Sequence, residues 1–307
     1  MRIAVETAQP APERASAGEA PWRRFAAEFC GSRLAIAGVV LLALIVVAAL
    51  AAPWIAPQDP YDLAQLDVLD SKLPPGSQSL SGHTYWLGTD DQGRDMLSAI
   101  LFGLRISLMV GVASTLGALA IGLAAGLAAA YFGGWVDAAI MRIADIQLSF
   151  PAILIALILL ALLGQGAGKI IAALITVQWA YYARTVRSSA MVERRKEYVE
   201  AARVLALSQP RIVFRHLLPN CLPPLIVVAT VQVAHAISLE ATLSFLGLGL
   251  PITEPSLGLL IANGFQYLLS GKYWISFYPG VALLATIVAI NLVADQLRDV
   301  LNPRLQR

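Results

Sequence analysis

Metal and redox chemistry have little to work with in this chain. Its two cysteines, Cys30 and Cys221, stand far apart, and its three histidines, His83, His216 and His235, are scattered. Neither pattern has the spacing of a zinc site or a redox pair. A phosphate loop is missing too, since it needs glycine, four residues, then Gly-Lys followed by Ser or Thr. Gly164-Gln-Gly-Ala-Gly-Lys169 imitates one, but Ile170 follows the lysine and the glycine spacing is wrong. No HExxH pair or nucleophile triad can be assembled. The sequence predicts a chain that is not an enzyme, with no cofactor or metal of its own.

Charge is also scarce. Only 14% of the 307 residues are Asp, Glu, Lys or Arg, against 58% hydrophobic, and the mean hydropathy is strongly positive. Such values exclude an ordinary soluble domain and imply an integral membrane protein. A net charge of +2 gives no reason to expect a nucleic-acid partner. What matters is where the basic residues lie, because Lys and Arg stay on the cytoplasmic side.

Crossing roughly 30 Å of hydrocarbon takes about twenty helical residues. Residues 34–55, 106–132, 146–163, 221–239 (running on past Glu240) and 273–294 are long and apolar enough. A sixth stretch, 170–183, is short; it spans if residues 164–168 lie in the interface and Arg184 snorkels outward. Residues 184–220 hold eight basic residues against three glutamates, so they belong in the cytoplasm. Residues 57–104 carry seven aspartates with only Lys72 and Arg94 as cations, and fall outside. Six crossings satisfy both; five put one of them on the wrong side.

The expected fold is therefore all-α and polytopic, with six transmembrane helices and both termini cytoplasmic. It has a tail at 1–33, a first span at 34–56 and an external Pro/Asp-rich segment at 57–104. A five-span core at 105–299 and a tail at 300–307 follow. Arg23-Arg24 and Cys30 invite a twin-arginine or lipidation reading, but the apolar run starts only after Cys30 and shows no cleavage site. A short amphipathic helix over 22–29 is expected instead. Gly111, Ser114, Gly117, Ala118, Gly122 and Gly126 give the second span a small-residue face for close helix packing. Arg142 and Asp145 are spaced to pair, and Pro151 is placed to kink the third span.

Residues 184–220 are too long for a simple connection. A helix there puts Lys196, Glu197, Glu200 and Arg203 on one face and Tyr198, Ala201, Ala202 and Leu205 on the other. Ser208 with Pro210 then reads as the start of a second short helix. The pattern fits a docking surface, or helices lying on lipid. In the external segment, Asp90 and Asp91 lack the spacing of a calcium loop. A turn with Arg94 paired to a neighbouring Asp is expected, with contact to substrate or its carrier as a second use for Asp90, Asp91 and Arg94. Glu240, five residues after His235, is an ionisable group deep in a span. It either lines a pathway with His235 or forms a buried structural pair.

The run Glu200-Ala201-Ala202, a turn near Ala206, Ile212 and His216-Leu-Leu-Pro219-Asn220 resembles the EAA loop of membrane permeases of bacterial ATP-driven importers. Leu87-Gly-Thr-Asp-Asp-Gln-Gly-Arg-Asp95, Tyr131-Phe-Gly-Gly-Trp135, Leu243-Ser-Phe-Leu-Gly-Leu-Gly249 and Leu297-Arg-Asp299 before Pro303-Arg304 resemble the peptide and nickel branch of that family. The resemblance implies half of a translocation pathway in the bacterial inner membrane, completed by a homologous permease subunit. It also implies two cytosolic ATPase subunits, which hold ATP and magnesium, and an external substrate-binding protein. Tyr198, Glu200, Ala201, Ala202, Arg203, Leu205 and Ala206, with Arg215, His216, Pro219 and Asn220, would form the ATPase-coupling loop, Pro219-Asn220 setting the turn into the fifth span. Di- or oligopeptides are the implied substrates; nickel chelates and other small solutes are alternatives. Two positions depart from the family: Ala206 where glycine is usual, and Leu257 where the branch commonly has tryptophan. If Ala206 must be left-handed, its turn is strained. The rival class, a self-sufficient secondary transporter or channel, would call for inverted repeats and several intramembrane charges.

Overall fold

The computed structural model describes residues 21–62, 66–79, 82 and 84–301, and these form a helical bundle with one small hairpin. His83, Pro303, Arg304 and most of both predicted tails lie outside the described residues. The expected amphipathic helix is α1 (Pro21–Cys30), tied to the far end of the chain where Gln296 Nε2 donates to the Glu28 carbonyl at 3.2 Å. Ser32 caps α2 (Arg33–Ile55), accepting from the Ala35 amide at 3.3 Å.

The helix α3 (Met96–Phe132) is the hub, contributing buried residues to four separate apolar cores. Asp95 starts it by accepting from the Ser98 amide at 2.8 Å, and Gly133, at φ 63°, ends it. Its partner through most of its length is α6 (Ala167–Glu193). The expected small-residue face explains the fit. A Cβ on Gly126 would stand 2.6 Å from the Ala183 carbonyl oxygen of α6, and one on Gly111 would stand 2.6 Å from Ile237 Cγ1 of α9 (Leu218–Phe245). Only glycine lets the backbones approach this closely.

The third predicted span is broken. α4 (Gly134–Leu148) and α5 (Ala152–Leu163) meet at 90° around Ser149 and Pro151, because proline cannot supply the next helical amide. The Arg142–Asp145 pairing is not what forms. Asp145 pairs with Arg184 at 2.5 Å, and the Asp137 carboxylate is bridged by Arg187, whose Nη2 is 2.6 Å from Oδ2. Both ties run between α4 and α6.

Among the described residues, four helices are long and apolar enough to cross a membrane, α11 (Trp274–Leu301) being one, and the bent α4–α5 pair makes a fifth candidate. α6 is long enough but less apolar. It also runs on to Glu193, so the loop predicted at 184–220 begins ten residues too early. Helical geometry continues past Ala183 because Arg184, Arg187 and Arg194 all find partners on α3 and α4. Arg194 Nη1 donates to the carbonyls of Ala130 at 2.8 Å and Tyr131 at 3.3 Å, closing the C-terminal end of α3.

The acidic segment before α3 is an irregular cap around a two-stranded hairpin, β1 (Ser77–Gln78) and β2 (Thr84–Tyr85). Arg94 Nε pairs with Asp90 Oδ2 at 2.6 Å, with both side chains buried. Asp91 is partly buried, its carboxyl pushed up by burial and by the Asp90 charge. The turn reading is the one realised, and the surface contact imagined for Asp90 and Arg94 has no exposed group to make it. The turn fastens the cap to the bundle instead, with Trp274 Nε1 donating to the Thr89 carbonyl at 3.1 Å.

Candidate coupling site

The break after α6 is followed by α7 (Glu197–Val204), whose boundaries are chemical. Leu207 N donates to the Ala202 carbonyl at 3.2 Å and Ala206 N to the Arg203 carbonyl at 2.9 Å. This pair of bonds is the Schellman closure of a helix, and it requires a left-handed residue at Ala206. Ala206 has φ 53°, so the strained alternative is the one adopted. A non-glycine residue there costs about 1–2 kcal/mol.

The face that α7 buries is not the predicted one. Val199 and Ala202, three residues apart, pack on Ile212 and Leu217, with Leu207 closing the cluster. Ala202 is the one member of the expected apolar face that is buried. Tyr198 and Ala201 are exposed, as are Glu200, Arg203 and Arg215. Leu205 is 73% exposed beside Val204 at 86%. The error came from taking Tyr198 and Leu205 as apolar anchors; helix register follows Val199, a residue omitted from both faces. Val204 and Leu205 thus form a small exposed aliphatic patch beside the charged residues of α7.

The second short helix, α8 (Gln209–Ile212), is not separate. Ser208 and Pro210 start it as expected, although the serine hydroxyl makes no capping bond. It then passes through one wide turn, Val213–Leu217, into α9. Pro219 and Asn220 therefore lie inside the first turn of α9, and the direction change expected of them occurs at Ala206.

What ties the three segments together is Glu193, which the sequence reading counted only as a charge. Its carboxylate accepts a hydrogen bond from the Tyr198 hydroxyl at 2.6 Å and pairs with Lys196 at 2.6 Å. Asn220 Nδ2 donates to the Tyr198 hydroxyl at 3.2 Å and to the His216 carbonyl at 2.7 Å. The end of α6, the start of α7 and the start of α9 thus share one hydrogen-bonded joint. Burial pushes the Glu193 carboxyl up, but bonds from Lys196 and Tyr198 outweigh it and hold the carboxyl below its ordinary value. Burial and the Glu193 charge together raise Tyr198. The three-residue spacing of Glu193 and Lys196 was the signal that could have found this hub. Beside the joint, Glu193, Asn220, Pro223 and Arg298 line a cavity of about 830 Å³ between α6, α9 and α11.

Glu240 and His235 are not brought together. His235 is exposed, whereas Glu240 is fully enclosed between α3 and α9 and bonded by serines. No group of three or more metal-ligating side chains occurs among the described residues.

Residues 118–307 match the family model described as "Binding-protein-dependent transport system inner membrane component". The chain belongs to this permease family. Residues 20–75 match a second model, the N-terminal TM domain of oligopeptide transport permease C. The permease is 36% identical over 298 residues to the di/tripeptide transport system permease protein DppC of Pseudomonas aeruginosa, covering 97% of each chain. It is 34% identical to the dipeptide transport system permease protein DppC of Alkalihalophilus pseudofirmus, covering 98% of this chain and 96% of the relative. Identity is also 34% to the glutathione transport system permease protein GsiD of Pectobacterium atrosepticum, with 93% and 92% covered. A solved structure of the MetNI methionine ABC transporter in inward-facing conformations shares the fold. Its TM-score is 0.54 at 23% identity, over 67% of this permease and 97% of that chain.

Proposed function

We propose that this permease is one half of the membrane pathway of an importer for short peptides, driven by cytosolic ATPases that dock on α7. The observation that carries the coupling role is the joint of Glu193, Tyr198 and Asn220, which fixes a short helix with exposed Val204 and Leu205 to two long helices. Motion imposed on α7 passes directly into α6 and α9, as alternating access requires. The six crossings are α2, α3, the α4–α5 pair, α6, α9 and α11. Both ends of the chain then lie in the cytoplasm with α7, and the acidic cap lies outside, facing the binding protein. ATP and magnesium belong to the two ATPase subunits, and a homologous permease completes the pathway in a bacterial inner membrane. Relatives named for dipeptides, di/tripeptides and glutathione support small peptides as the cargo.

The test is ATP-dependent uptake of labelled di- and tripeptides into vesicles holding the complete complex, with glutathione and nickel chelates as competitors. Glu200→Arg should abolish uptake and ATPase co-purification while the chain still inserts. Undiminished uptake by that variant, or uptake by this chain without ATPase, would overturn the coupling role and favour a secondary transporter.

A further inference from the structure

Two apolar cores stack along the seam where α3, α6 and α9 meet. The outer one joins Val110, Leu174 and Ala236, and the inner one joins Ala118, Tyr182 and Leu225, with Val228 packed against it. Between the cores each helix places a polar side chain. Ser114, Gln178 and Gln232 each stand four residues from an outer-core member and four from an inner-core member on their own helix. Four residues is just over one turn, so the three share one level of the bundle.

This polar layer is enclosed and short of bonds. Ser114 and Gln178 are 0% exposed and Gln232 is 8% exposed. Ser114 Oγ donates back along α3 to the Val110 carbonyl at 2.7 Å. Both ends of the Gln178 amide, Gln232 Nε2 and the neighbouring Thr115 and Tyr182 hydroxyls meet no hydrogen-bond partner from the chain. Polar groups kept inside a span in this way are costly unless something bonds them. Lipid tails cannot, and an ion would need a charged partner. No Asp, Glu, Lys or Arg lies within four residues of Ser114, Gln178 or Gln232, and His235 is exposed. The amides and hydroxyls of the layer offer donors and acceptors together. A small neutral molecule with both, which is water, matches them.

The layer also divides α9 into a held part and a driven part. On its outer side, Glu240 accepts from Ser107 of α3 at 2.9 Å, and a Cβ on Gly258 of α10 (Leu257–Phe265) would lie 2.6 Å from Ala241 Cα of α9. α3 and α6 are held to each other by equally close contacts at Gly117, Gly122 and Gly126. On its inner side α9 runs to Asn220 of the coupling joint, about 20 Å away at 1.5 Å per residue. Pro224 and Val227 of this inner part border the cavity beside the joint.

We infer that Thr115, Gln178, Tyr182 and Gln232 bind ordered water inside the bundle, and that α9 yields against the α3–α6 block at this level. Bound water re-forms its bonds after a small displacement, where a direct pair of side chains would fix the register. The yielding role rests on the coupling proposed for α7; the water site does not.

The test exposes the full complex in nanodiscs to brief X-ray radiolysis in heavy-oxygen water, which oxidises side chains that touch water. Tyr182, 0% exposed, should take up label at a rate comparable to Tyr198, 37% exposed in the coupling loop, while Leu174 of the outer core stays unlabelled. Gln178→Leu with Gln232→Leu should lower Tyr182 labelling about fivefold or more, as apolar side chains leave water nothing to bond. That complex should keep or gain thermal stability, yet import several-fold more slowly. Gln232→Met is the milder change and decides the matter if the double variant does not assemble. Absence of label at Tyr182 in the wild type overturns the water site. Label that is lost in an assembled variant whose import is undiminished overturns the yielding role. The labelling readout needs no peptide uptake, so failure of wild-type uptake would count against the proposed cargo alone.

Discussion

The Tyr198 hydroxyl lies 2.6 Å from the Glu193 carboxylate, across the break between α6 and α7. Three residues at the break, Arg194 to Lys196, form a turn whose amides bond the Ala190, Val192 and Glu193 carbonyls, and this side-chain bond adds a second tie across it. Tyr198→Phe removes the donor and keeps the ring beside His216. Import should fall several-fold while ATP hydrolysis persists, read as a rise in ATP consumed per peptide. A proportional fall in both would place the effect in folding, not in coupling.

The joint should hold over a defined pH window. The Glu193 carboxyl is depressed in the folded chain, so its stabilisation is full above the ordinary glutamate value of about 4.3 and is lost as pH falls through the lowered one. Tyr198 is raised, so its contribution is full below the ordinary tyrosine value of about 10 and is lost as pH rises through the raised one. A spin label at Val204 should stay ordered between those limits and loosen beyond each. In Glu193→Gln, the acid transition should disappear.

Ala206 holds a conformation that glycine adopts freely. Ala206→Gly should stabilise the α7 turn by about 0.5–1 kcal/mol, the relief of left-handed strain less the extra chain entropy of glycine. Slower amide exchange at Leu207, whose N–H closes the turn, is the measurement. A β-branched residue at 206 should do the reverse.

Leu205 is solvent-facing and outside the small core of α7. Leu205→Asp should leave thermal stability within about 0.5 kcal/mol of wild type. It should nevertheless abolish co-purification of the ATPase subunits, whereas Val199→Asp, aimed into that core, should lose both.

Gly126 meets the α6 backbone with no room for a side chain. Gly126→Val forces α3 and α6 apart at a cost of about 1–3 kcal/mol, with lowered yield of folded protein from detergent as the readout.

Long-range order was readable where it depended on hydropathy. The apolar runs placed α2, α3, α9 and α11, and the excess of small residues on α3 foretold its close packing. Proline chemistry located the bend at Pro151. What escaped was decided by pairing across distance. Arg184 and Arg187 look like loop charges until Asp145 and Asp137 are brought beside them by the bend. Glu193 looks like a surface acid until Tyr198 returns to it. Val199 and Leu205 differ little as letters, and only the docking of α7 on Ile212 and Leu217 decides which one is buried.

Arg194 seals the carbonyls of Ala130 and Tyr131, 64 and 63 residues earlier in the chain. During synthesis, at roughly 5–20 residues per second, α3 must wait about 3–13 s with its last turn uncapped. Arginine has two parts in that interval: its charge retains the segment on the cytoplasmic side, and its Nη1, held in the rigid guanidinium plane, later donates to both carbonyls. Arg194→Lys keeps the first and loses the second, so it should yield chains that insert the right way round but settle slowly, and those chains are the ones exposed to membrane proteases.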